Sequence, residues 1–142
     1  MSQFEKTTPA FAKALSALHA CCFEKAWDEK AFRSLLSLPT TIGLLNDKGF
    51  ILCSVCGDEA EILTVGVVPQ ARQQGIGLAL LNEMQMLLKE KGVLNFFLDV
   101  NETNIPARSL YAKFGFKQVG LRKAYYEEKG MRFDALLLKK CI

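Results

Sequence analysis

The chain is sparing with the residues that carry metal and membrane chemistry. It has a single histidine among 142 residues. That residue, His19, sits in a helix-like stretch with no thiol at ligand spacing beyond the adjacent Cys21 and Cys22, so it is given no role and no metal is expected. No run approaches the roughly 18 consecutive apolar residues of a membrane span. The N-terminal stretch Met-Ser-Gln-Phe-Glu-Lys-Thr-Thr-Pro has an acidic residue and no apolar core behind a basic start. It does not read as a secretion signal, and a cytoplasmic protein is expected. Five cysteines, an odd number, then imply reduced thiols. Cys53 and Cys56, three apart in a strand-like run, would point to opposite faces and cannot share an ion. The charges are dispersed around a net +3, without the basic patch of a nucleic-acid footprint.

What is present is the balance of a globular domain, 50% hydrophobic and 23% charged. A chain of this length buries about 68–70% of its unfolded surface, so residues 1–142 are read as one domain that folds without a staple. Thr8 and Pro9 start a helix in which Phe11, Ala14, Leu15 and Leu18 share a face. A second helix begins at Asp28, buries Phe32, Leu35 and Leu36, and stops before Pro39. Three strand-like runs follow, Thr41 to Leu45, Phe50 to Cys56 and Glu61 to Val68, joined by turns at 46–49 and 57–58 as an antiparallel meander. A helix from about Gly75 to Lys91 ends at Gly92, and Val93 to Val100 reads as a strand covered on both faces. Strand, helix, strand implies a right-handed crossover between neighbouring parallel strands at 61–68 and 93–100. Asn104 caps a short helix that runs to Phe114 and ends at Gly115. Two strands close the chain, Lys117 to Leu121 and Met131 to Lys139, with Arg122 to Gly130 between them.

The strand-to-helix passage at 62–81 carries the most chemistry. The first N–H groups of a helix lack intrahelical partners and meet the positive end of the macrodipole, so a glycine-rich start there can hold phosphate through the backbone. Gly75 and Gly77 would let a diphosphate approach closely. The dinucleotide fingerprint fails at Leu80 and the P-loop fails at Gly77-Leu78-Ala79. Arg72-Gln73-Gln74-Gly75-Ile76-Gly77 instead resembles the Arg-x-x-Gly-x-Gly pyrophosphate loop of the GNAT N-acetyltransferase superfamily. The stretch from Asn104 through Ala107, Leu110 and Tyr111 to Gly115 and Phe116 resembles the same superfamily's second signature, and the element order is similar over nearly the whole chain.

The resemblance implies an α/β (α+β) GNAT fold: a central, mixed, largely antiparallel twisted sheet with a splayed parallel strand pair, flanked by about four helices. It implies acetyl-CoA as co-substrate, its arm held by Val65, Gly66, Val67 and Asn104 and its pyrophosphate by Arg72, Gln73, Gln74, Gly75, Ile76, Gly77 and Leu78. Tyr111 matches the residue that protonates the leaving thiolate, a task suited to a phenol with an ordinary pKa near 10. Asp99 matches the base, where the family normally carries glutamate. One methylene shorter, it would reach the amine through water, and Glu102 lies close enough to compete.

Within the superfamily the chain looks most like the RimI-type ribosomal-protein alanine N-acetyltransferases. The segment around Trp27 resembles that group's aromatic segment, with Ala26 in place of proline. Arg122 to Tyr126 resembles its Arg-Arg-x-Tyr-Tyr stretch, with Lys123 in place of arginine. Trp27, Tyr125 and Tyr126 are thereby implied to flank a slot for a protein N-terminus, that of a ribosomal protein. An α-amine, with a reference pKa near 7.7–8.0, is neutralised more readily than lysine near 10.4 and suits a weak base. Acetylation of a small amine or a lysine, and a non-catalytic acyl-CoA-binding module, are the alternatives. Neither nucleic acid nor membrane is expected as a partner, and the protein is expected to be a monomer or weak dimer.

Overall fold

A computed structural model describes residues 3–142; Met1 and Ser2, which begin the N-terminal stretch read above, lie outside it. The chain forms β1 (Glu5–Lys6), α1 (Ala12–Cys22), α2 (Glu29–Leu36), β2 (Thr41–Leu45), β3 (Gly49–Cys56), β4 (Glu59–Val67), α3 (Ile76–Glu90), β5 (Asn95–Asn101), α4 (Ile105–Phe114), β6 (Lys117–Glu128) and β7 (Met131–Cys141). The strands make one sheet in the order β1-β2-β3-β4-β5-β7-β6. Every pairing is antiparallel except that of β4 with β5. This is the mixed architecture expected, with the parallel pair where the crossover places it.

Local chemistry accounts for most boundaries. Asp28 caps α2 by accepting the Ala31 N–H at 2.8 Å. Asn46 accepts the Lys48 and Gly49 N–H groups and so closes the β2–β3 turn. Gly92 and Gly115 end α3 and α4 in left-handed conformation, at φ 84° and 113°.

Four boundaries or burials differ from expectation. Thr8 caps only a 3-10 turn, Pro9–Phe11, and α1 begins after it. Val93 and Leu94 precede β5, because the Leu94 and Asn95 amides both turn onto the Asp58 carbonyl. In β5 Phe96, Leu98 and Val100 are buried while Phe97 and Asp99 are half-buried. That alternation marks a strand with one covered face. The segment 122–128 belongs to β6, since Lys129 and Gly130 both take positive φ, 51° and 77°, and make a two-residue hairpin turn.

Two cores sandwich the sheet. The larger packs Leu80, Leu81, Met84 and Leu88 of α3 and Tyr111 and Phe114 of α4 against Phe96, Leu98 and Val100. The smaller packs Leu15 of α1 and Phe32 of α2 against Leu45, Phe50 and Leu52. Each fully buried side chain of this size contributes about 1.5–3 kcal/mol. Among the described residues, no helix is long and apolar enough to cross a membrane.

Candidate active site

The parallel ladder is short. β4 and β5 pair at Glu59 with Asn95, Ala60 with Phe96 and Glu61 with Phe97, and no further. Both strands continue, β4 to Val67 and β5 to Asn101. They therefore diverge towards their C-terminal ends, and a bulge in β4 coincides with the parting. Leu52 of β3 pairs with Thr64 and Cys53 with Ile62, so Leu63 is an extra residue. A bulge bends its strand and strengthens the twist, and one extra residue exchanges the two faces downstream. Ala60 and Ile62 face the larger core before it, and Val65 and Val67 face the same core after it.

Gly66 thus turns to the other face, where a Cβ would lie 2.8 Å from Phe50 Cζ and 3.1 Å from Cys22 Sγ. Only glycine fits there. Val65, Gly66 and Val67 pair with Ile51, Phe50 and Gly49 on the β3 side and have no strand partner on the β5 side.

The loop after β4 has the form of an anion cradle. Gln73 and Gly75 take positive φ, 63° and 80°, and Gly75 caps α3 without any side-chain hydrogen bond. The first intrahelical bond runs from the Ala79 N–H to the Gly75 carbonyl. The N–H groups of Ile76, Gly77 and Leu78 are thus free of partners within the helix. A Cβ on Gly75 would meet nothing within 4 Å, so this backbone is open to close approach.

Gly77 has a packing reason to be glycine as well. Its Cβ would lie 3.0 Å from Leu110 Cδ2, so the absence of a side chain lets α3 pack closely on α4. Arg72 folds back, its Nε–H donating to the Val67 carbonyl at 3.0 Å, and its guanidinium lies against Cys22. It staples the open end of β4.

Tyr126 lies within electrostatic reach of both Tyr111 and Asp99. Asp99 alternates with Leu98 and Val100 and so points away from the larger core, whereas Tyr111 belongs to that core and is 7% exposed. The two therefore lie on opposite faces of the sheet. Asp99 Oδ1 is buried and accepts no hydrogen bond from any described residue. Burial pushes the Tyr111 phenol up to about 12, with Tyr126 adding to the shift. Tyr126 is likewise pushed up to about 12, first by burial and then by the negative charge of Asp99. Both phenols hold their protons at neutral pH. Asn104 caps α4, its Oδ1 accepting the Ala107 N–H at 3.3 Å.

Glu102, unlike Asp99 Oδ1, has a partner within the sheet. Its Oε2 accepts the Asp134 N–H at 2.6 Å. Asp134 in turn accepts the Ala124 N–H at 2.8 Å. Ala124, at φ 54°, sits in a second bulge, where Lys123, Ala124 and Tyr125 of β6 face Asp134 alone. Tyr125 is 52% exposed, with its ring 5.2 Å from Tyr126 and the Arg122 guanidinium 5.3 Å above it. The tyrosines therefore stand on a bulged strand and not in a connecting loop. Nothing in the sequence marks Asp134, because its role depends on the register between β6 and β7.

Trp27 is placed differently from the other candidates. Its ring stacks on His19 at 4.9 Å and packs on Phe32 at 5.6 Å. Its backbone N–H donates to His19 Nδ1 at 3.1 Å and its carbonyl accepts from Ser16. His19, which sequence reading left without a role, is 3% exposed and pins the α1–α2 connection, with Phe23 stacked on it at 4.3 Å. Burial lowers its pKa below 6.5.

The comparisons agree with this geometry. Residues 12–116 match the family model described as the acetyltransferase (GNAT) family. The chain is 32% identical to the ribosomal protein bS18-alanine N-acetyltransferase of Haemophilus influenzae, covering 87% of this chain and 95% of that protein. It is also 32% identical to the Escherichia coli protein of the same name, over 79% of this chain and 78% of that one. The crystal structure of the Escherichia coli enzyme superposes with a TM-score of 0.91 at 26% identity, spanning 100% of this chain and 94% of the other. The chain belongs to the acetyltransferase (GNAT) family.

Proposed function

We propose that this acetyltransferase uses acetyl-CoA to acetylate the N-terminal α-amine of a protein that begins with alanine, the counterpart of ribosomal protein bS18. The observation that carries the reading is the buried, unpartnered Asp99 Oδ1 at the mouth of the splay, opposite Tyr111. A buried carboxylate oxygen without a donor is costly unless a donor arrives. The names of the relatives, ribosomal protein bS18-alanine N-acetyltransferases, point to an α-amine as that donor.

Acetyl-CoA, when bound, supplies the acetyl thioester. The residues present fit it: the Gln73–Leu78 amides can receive the pyrophosphate at an open helix start, with the charge of Arg72 beside them. The unpaired edge formed by Val65, Gly66 and Val67 can pair with the amides of the arm, and an N–H fixed on that edge can meet the oxyanion as it develops. Asn104 can reach the arm from the α4 cap. Asp99 takes the amine proton through one water, being a methylene shorter than the family's glutamate. Tyr111, fully protonated at neutral pH, gives a proton to the departing sulfur. Tyr125 and Tyr126 flank the incoming peptide, and Trp27 shapes the slot from beneath by holding the α1–α2 connection on His19.

The test is incubation with acetyl-CoA and a short peptide copying an alanine-initiated ribosomal N-terminus, followed by thiol release and peptide mass. One acetyl group confined to the α-amine is expected. Turnover of lysine peptides or polyamines with none at the α-amine would overturn the assignment.

A further inference from the structure

The bulge in β6 is tied down from an unexpected direction. Ala124 is a non-glycine residue at φ 54°, a conformation that needs outside support. Both of its backbone groups leave the ladder. Its N–H goes to Asp134 Oδ1 at 2.8 Å, and its carbonyl accepts from Arg132 Nη1 at 3.3 Å. Asp134 is itself held on both sides of its backbone by Glu102, which accepts its N–H through Oε2 at 2.6 Å and donates its own N–H to the Asp134 carbonyl at 3.0 Å. Glu102 directly follows β5, three residues beyond Asp99. A continuous chain of hydrogen bonds therefore runs from the end of the strand that carries Asp99, through Glu102 and Asp134, to the residue immediately before Tyr125 and Tyr126.

We infer that Glu102 and Asp134 are positioning residues for the acceptor: together they fix the Tyr125-Tyr126 arch relative to Asp99, and they set affinity for the incoming N-terminal peptide without touching acetyl-CoA. The inference rests on the proposed peptide N-acetyltransferase reading. Its physical basis is that two of the bonds end on carboxylates and are correspondingly strong, while the bulge they hold has little else. Lys123, Ala124 and Tyr125 are all exposed, so no apolar burial restores the arch once the Ala124 amide is released.

The test combines a readout that needs no substrate with a kinetic split. Amide hydrogen exchange should show the Ala124 N–H protected in the wild type and unprotected in Asp134→Ala. In steady state, Asp134→Ala and Glu102→Ala should each raise KM for the alanine-initiated peptide about tenfold, the loss of one hydrogen bond to a charged group. KM for acetyl-CoA should stay at the wild-type value, which also certifies the fold. Glu102→Gln keeps an acceptor oxygen and should restore most of the peptide affinity.

Unchanged peptide KM in both alanine variants would overturn the proposal. So would an equal rise in KM for both substrates, or protection at Ala124 that survives Asp134→Ala. If either alanine variant fails to fold, Glu102→Gln and hydrogen exchange under native conditions in Asp134→Asn decide the matter. Failure of the parent reading looks different: the wild type itself would leave the peptide α-amine untouched. The relay is then judged by exchange at Ala124 and by KM for whichever amine is turned over.

Discussion

β4 and β6 each carry a bulge beside the splay, and they hold it by different means. The extra residue in β4, Leu63, packs against the smaller core while Ile62 packs against the larger, so apolar burial fixes the bend from both sides. The three residues of β6 opposite Asp134 are exposed and are fixed through Ala124, whose N–H donates to Asp134 and whose carbonyl accepts from Arg132. The side that would receive acetyl-CoA is therefore shaped by backbone and packing. The Tyr125-Tyr126 edge that would receive the acceptor is shaped by side chains that can be exchanged without disturbing a core. Such a division lets an invariant co-substrate and a variable acceptor meet on one sheet, because the acceptor side can change cheaply.

The largest effects should come from the groups between the two sides. Asp99→Asn removes the proposed base and should lower kcat about 10²–10⁴-fold while leaving acetyl-CoA affinity intact. Tyr111→Phe keeps the ring that meets Phe116 edge-on at 5.9 Å, so it should lower kcat without loss of stability. Stopped-flow and calorimetric titration check both, and unaltered kcat in Asp99→Asn would remove Asp99 from the mechanism. Gly66→Val comes next. Its Cβ would meet the fixed ring of Phe50 at 2.8 Å, so unfolding free energy should fall by about 1–3 kcal/mol, the cost of overpacking. Affinity for acetyl-CoA should weaken with it, and affinity for the acceptor should not. An acceptor-specific defect would break the division between the two sides.

What could be read in the sequence follows the same division. Gly75 at the helix start, the apolar face of α3 and the Asn104 cap are local rules with local signatures, so the meander, the crossover and the loop were all legible. The packing reason for Gly77 was not legible, since Leu110 reaches it from another helix. The bulge at Leu63 was hidden, because one extra residue in an apolar run leaves no mark without the partner strand's register. The tie from Glu102 through Asp134 to Ala124 was hidden more deeply, as it joins residues 32 and 10 positions apart. His19 was misjudged because a lone histidine has no pattern. Its meaning lies in the rings of Phe23, Trp27, Phe32 and Phe50 gathered around it.

That ring cluster makes the packed side sensitive to acid. His19 Nδ1 accepts the Trp27 backbone N–H, so the ring is neutral with its proton on Nε2, and burial lowers its pKa below 6.5. A depressed folded-state pKa means that the unfolded chain binds the proton more readily. The stabilising contribution is thus complete above pH 6.5 and is lost as pH falls through the folded-state value. Thermal melts should show a falling midpoint below that pH, and His19→Gln should flatten the slope at some cost in stability. A slope that survives the substitution would trace the acid sensitivity to carboxylates instead.

The smallest effect tests the backbone claim most cleanly. Gly75 sits at φ 80°, and a methyl group there would have nothing within 4 Å, so Gly75→Ala introduces no clash and changes only conformational strain. The left-handed conformation of an L-residue costs about 1–2 kcal/mol, and folding stability should fall by about that much at most. If the loop binds phosphate through its amides, the strain is relieved by opening the turn, and affinity for acetyl-CoA, measured by calorimetry, falls in parallel with stability. Loss of stability with affinity preserved would mean that the phosphates are held by the Arg72 side chain, and the side shaped by backbone would then depend on a side chain after all.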